Sequence, residues 1–170
     1  MPLHPFAWLS ILGTLVLTSA CASVEPVSKA PARAAIAAPQ PVAGYDWHLT
    51  TDEGFARLAY GIAESDDLRL GLDCAAGSSR VDITATAPMG ARTLLLESGG
   101  ETERFAAEGE PSQLSDDDLL TASAAAEIPV FQSFRRLGWI AQWTGSDSRE
   151  TYVAHPESRA DIERFFALCD

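Results

Sequence analysis

From residue 45 onward the chain alternates between apolar and polar positions. Residues 45–51 put Trp47 and Leu49 on one side and His48 on the other, the period of a half-buried strand. A second strand is predicted at 55–61. A third, at 68–74, aligns Leu68, Leu70, Leu72 and Cys74, and a fourth, at 80–86, turns Val81, Ile83 and Ala85 inward. Gly99-Gly100 separates strands at 93–98 and 102–106, a two-residue hairpin that favours a primed turn. Residues 139–144 and 150–154 form another hairpin around Gly145-Ser146-Asp147-Ser148. The stretch 116–126 admits a helix through its alanines or an edge strand over 119–124, and the strand is the reading taken.

Two segments change period. Residues 129–137 open on Pro129, close before Gly138, and carry Arg135 and Arg136 where they complement a helix dipole. At the C-terminal end Ile162, Phe165, Phe166 and Cys169 fall on one helical stripe. Ser158 with Asp161 three residues later suggests a capping box at its start. The expected fold is α+β and mostly β: an antiparallel sandwich or partial barrel, with a C-terminal helix tethered to a strand by a disulfide. That arrangement resembles small exported proteobacterial proteins, in which one cysteine ends an early strand and another lies in a short final helix. The resemblance spans roughly residues 55–169.

Ahead of this domain the pattern is different. Residues 6–17 are predominantly apolar, and residues 1–20 contain no Asp, Glu, Lys or Arg. The run is too short for a membrane span and ends in small residues, as a signal peptide does. Leu17-Thr18-Ser19-Ala20-Cys21 resembles the lipobox of bacterial lipoproteins, which implies lipidation of Cys21, its attachment to palmitate-type chains, and a place in the envelope with the outer membrane favoured. Ala20-Cys21-Ala22 also reads as an ordinary cleavage site, which would release a soluble periplasmic or secreted protein. Residues 21–44 are rich in Ala and Pro, lack aromatics and show no periodicity, so they are read as a disordered tether. The expected organisation is a signal peptide at 1–20, a lipid-anchored tether at 21–44 and one β-rich domain at 45–170.

Charge narrows the range of partners. The chain has 24 acidic and 12 basic residues. Glu25, Lys29 and Arg33 precede residue 45, which leaves the domain 23 acids against 10 bases, all arginine, a net of −13. Such a field argues against nucleic acid and favours a cationic protein partner, with the membrane contacted only through the lipid. An oxidising compartment makes the remaining pair, Cys74 and Cys169, an expected disulfide, both sulfurs lying on buried stripes.

Catalytic signals are sparse. His48 faces the polar side of its strand, His155 precedes Pro156, and no nucleophile elbow, zinc-binding helix or phosphate loop occurs. No catalytic residue, metal site or cofactor is therefore expected. Asp116, Asp117 and Asp118 form the densest negative run and are the candidate acidic binding patch; Glu64, Asp66 and Asp67 make a second acidic loop. Trp139 and Trp143 share a strand face, read as core unless that face proves exposed. The favoured function is a non-enzymatic, periplasm-facing binding or scaffolding module. Small envelope lipoproteins that inhibit lysozyme are similar in design, with a lipoprotein signal, compact β body, disulfide and acidic surface, so an inhibitor of a cationic cell-wall hydrolase is one alternative. A hydrolase built on scattered carboxylates is the other.

Overall fold

The computed structural model describes residues 38–113, 115–145 and 148–170. Cys21 and the expected signal peptide at 1–20 lie outside the described residues, as does most of the expected tether at 21–44. Residues 38–45 form no strand or helix.

The domain is built from two antiparallel sheets. Strands β1 (Asp46–Asp52), β2 (Phe55–Gly61), β3 (Leu68–Ala75) and β4 (Arg80–Ala87) form a meander, as their alternation predicts. The chain then leaves for a second sheet through β5 (Thr93–Ser98) and β6 (Glu101–Ala106). It returns through β7 (Glu108–Pro111) and β8 (Asp118–Ala125), which pairs with β4. Sheet A thus runs β1-β2-β3-β4-β8-β7. After helix α1 (Pro129–Leu137), the hairpin β9 (Trp139–Trp143) and β10 (Arg149–Val153) completes sheet B, ordered β10-β9-β5-β6. Helix α2 (Arg159–Cys169) packs under β1, β2 and β3. None of the described helices is long and apolar enough to cross a membrane.

Local chemistry fixes these elements. Gly99 and Gly100 have φ of +60° and +91°, as a two-residue primed turn requires. At Gly99 a Cβ would also sit 2.5 Å from Leu137 Cδ1, so α1 closes directly over the hairpin. The chain leaves α1 through Gly138, in the left-handed region at φ 74°, with its N–H donating to Phe134 O. The capping box expected at α2 does not form. Ser158 has helical backbone angles and its hydroxyl donates to Asp46 Oδ1 at 2.5 Å, which ties the helix entry to β1 instead.

The core lies between the sheets. Trp47 packs on Phe134 at 4.8 Å between ring centroids and on Tyr60 at 5.4 Å, and Tyr60 meets Tyr152 at 5.0 Å. Phe131, Phe165 and Phe166 continue the cluster between the helices, so sheet A, sheet B and both helices share one core. The Cys74–Cys169 disulfide joins the end of β3 to the last residue of α2, with Cα atoms 5.7 Å apart. The β3–β4 turn reinforces it: Gly77 N donates to Leu168 O and Ser79 N to Cys169 O, at 2.9 and 2.8 Å. Two carbonyls that a helix end leaves unpaired are satisfied there.

Candidate functional site

Both sheets turn one face to solvent, and each carries an open groove. On sheet A the floor is made by residues of the outward-facing parity, among them Arg57, Arg69, Thr84 and Leu119. Two segments rise on either side: 65–67 between β2 and β3, and the end of β7 with the described residues that follow it toward β8. They enclose about 1130 Å³. The two acidic segments are distant in sequence, and only the return of β8 to the side of β4 makes them opposite walls of one groove.

The acids here fall into two groups. Arg57 donates twice to Asp73, at 2.6 and 3.1 Å, which holds the guanidinium above its ordinary pKa. Arg69 hydrogen-bonds to Tyr45 Oη and pairs with Asp67 at 2.8 Å, and these contacts likewise raise its pKa, the bond to Tyr45 first. Tyr45 Oη also donates to Asp67. The floor is therefore neutralised. Asp66, Glu110 and Asp117 line the walls with no ion pair among the described residues, so they set the sign of the groove.

The run Asp116 to Asp118 is not one patch. Asp116 and Asp117 are exposed in the loop, but Asp118 is the first residue of β8 and points inward, 5% exposed. Its carboxylate accepts Gly90 N–H at 2.9 Å and pairs with Arg92 at 3.4 Å, pinning the turn that carries the chain from sheet A to sheet B. Strand alternation removes it from the surface.

His48 lines a smaller cleft of about 320 Å³ on the outer side of β1, together with Glu64, Ser65 and Asp67. The groups are close but not assembled for catalysis. Ser65 Oγ donates to Ile62 O and accepts Asp67 N–H, Asp67 serves Tyr45 and Arg69, and His48 Nε2 is buried without a hydrogen-bond partner. A nucleophile activated by a base needs a hydrogen bond between them, and none is present. His155 sits elsewhere, its backbone N–H on Asp46 and its Nε2 facing Val42 O at 3.3 Å. Among the described residues no cluster of three or more His, Cys, Asp or Glu is placed to hold a metal ion.

Sheet B corrects the reading of the tryptophans as core. Ile140 and Gln142 are the inward residues of β9, and Trp139 and Trp143 are half-buried on the outer face. Gln142 is accommodated inside because its Nε2 donates to Thr86 O at 2.7 Å and its Oε1 accepts Tyr152 Oη at 3.1 Å. Above the two indoles lies Arg149, 5.4 Å from the Trp139 centroid and 5.9 Å from that of Trp143. Glu97 fixes the guanidinium with a 2.7 Å ion pair. Beside this stack the face opens into a groove of about 820 Å³. Comparison of the chain with protein-family models, with curated proteins and with solved structures finds no match.

Proposed function

We propose that this protein is a non-enzymatic envelope module, exported and held by a lipid on Cys21, that binds a cationic protein through the acidic groove of sheet A. The tether of 21–44 would let the domain stand clear of the membrane and face the periplasm, with the outer membrane the favoured location. Cleavage after Ala22 would give a soluble version of the same module.

One observation carries the reading: Asp66, Glu110 and Asp117 on the groove walls make no ion pair among the described residues, over a floor whose arginines are already paired. A cationic surface entering there meets negative charge without first breaking an internal ion pair. Acids elsewhere on the domain, net −13 by sequence, would steer its approach. The inhibitor of a cationic cell-wall hydrolase is the special case in which that partner is an enzyme. The cleft at His48 favours the second alternative, a hydrolase, only in bringing a histidine near Glu64 and Ser65.

Co-purification from detergent-solubilised envelopes tests the reading. The wild-type chain should retain a basic protein that a variant with Asp66→Lys and Asp117→Lys loses. Retention of the same partner by that variant, or hydrolytic activity that disappears in His48→Ala, would overturn it.

A further inference from the structure

We propose that the outer face of sheet B is a second binding site, for a glycan that carries carboxylate groups. The strand registers place Arg104 opposite Leu95, Leu95 opposite Trp143, and Trp143 opposite Arg149. One row across four strands therefore has an arginine at each end and an apolar floor between, roughly 15 Å from end to end at the usual strand spacing. Arg92 stands at the head of β5 and, with Thr93 and Thr102, borders the same groove.

The local charge is the reverse of the domain's. Among the described residues Arg92 and Arg149 pair with Asp118 and Glu97 and Arg104 pairs with no acid, a balance of +1 among these five groups, whereas the whole domain has a net of −13. Glu101 and Glu103 alternate to the other face of β6, with Phe105. Arg149 is held by its stack and by Glu97, and Arg92 by Asp118 and Ala91 O. Arg104 is exposed and makes no hydrogen bond or ion pair among the described residues. At about 8 Å of screening length the acids on sheet A have little reach here, so these arginines decide which ligand is accepted.

The rest of the groove selects among anions. It is open and shallow, without the enclosed slot that an acyl chain needs. An acidic peptide would pair with a strand edge through its backbone, whereas this site lies on a sheet face with side-chain hydroxyls as its polar groups. A sugar ring fits instead: its C–H face rests on Trp143 and Leu95, its hydroxyls meet Thr93 and Thr102, and its carboxylate takes the free Arg104 fork. This site is independent of the cationic partner at sheet A.

The test titrates the full chain, by tryptophan fluorescence and calorimetry, with a galacturonic acid hexamer, its methyl ester and hexaglutamate. The acid hexamer should bind saturably, and both esterification and Arg104→Gln should weaken binding about tenfold, the value of one charge-assisted contact. Since Arg104 has no internal partner, its substitution leaves the fold intact, which circular dichroism checks. The Asp66→Lys and Asp117→Lys changes should leave this binding unaltered, separating it from the groove on sheet A. Absence of saturable binding, indifference to esterification or to Arg104→Gln, or equal affinity for hexaglutamate would overturn the proposal.

Discussion

Burial decides what individual side chains can do in this domain. Tyr60 and Tyr152 both lie inside the aromatic cluster, and burial pushes their phenols above the ordinary value. At Tyr152 the Glu150 carboxylate adds to the effect, while at Tyr60 the nearby Val153 backbone partly opposes it. The unfolded chain ionises these groups near pH 10, but the folded chain keeps them protonated. Their contribution to stability is therefore complete below about pH 10 and is lost as the pH climbs above it. Denaturant unfolding should show a plateau up to that pH and a fall beyond it, with Tyr152→Phe reducing the slope. Phenolate absorbance of both residues that rises ahead of unfolding would contradict this. The same scale shows where reading the sequence failed. Trp139 and Trp143 look like core because they are large and share a parity, yet Gln142 takes the inward place through two hydrogen bonds that no local pattern encodes. Asp118 is the converse case, a charge in an acidic run that alternation carries inside to hold a turn.

At the level of elements the pattern was more informative. The eight strands expected from alternation and turn residues, together with both helices, correspond to observed ones within a residue or so at their ends, and the strand reading of 116–126 matches β8. The exception is β7. Glu108-Gly109-Glu110-Pro111 has no apolar stripe and ends in proline, so nothing in its composition distinguishes it from a loop. It pairs because β8 offers a free edge, and its charges and proline then close that edge to further strands. Gly109 lies close under its neighbours: a Cβ there would stand 2.6 Å from Arg92 Nη1, the flexible end of that side chain, and 3.1 Å from Ala91 O. The disulfide was legible because each cysteine sat on a stripe that had to face the core. It closes a separation of 95 residues, and Cys169→Ser should lower stability by about 2–5 kcal/mol, read from the denaturant midpoint. Non-reducing mass mapping should join the peptides bearing Cys74 and Cys169. Freely alkylated thiols on the native protein, or an unchanged midpoint, would contradict this.

For the whole molecule, what the sequence could not express is the meeting of distant segments. The two walls of the sheet A groove are more than forty residues apart, and they face one another only because the chain detours through sheet B before β8 returns. Charge totals gave the sign of the surface but not its division into an acidic groove on one face and a patch of positive balance on the other. Anchoring is a separate question at this scale. Radiolabelled palmitate should enter the wild-type chain, and Cys21→Ala should release the protein from the membrane fraction. A mutant recovered in membranes as fully as the wild type, with no label in either, would mean the domain is delivered without a lipid.

The central claim is that a cationic protein occupies the groove on sheet A, and crosslinking in intact cells tests it most directly. A photo-reactive amino acid replaces Gln113, an exposed residue of the groove wall, or Thr102 on the outer face of sheet B as the control. Irradiation should give a defined adduct with a basic protein from position 113 and not from position 102. In solubilised envelopes that adduct should fade as salt is raised past physiological strength, where the screening length drops below about 8 Å. Adducts of equal yield from both positions, an acidic or neutral protein at position 113, or a yield indifferent to salt would contradict the account.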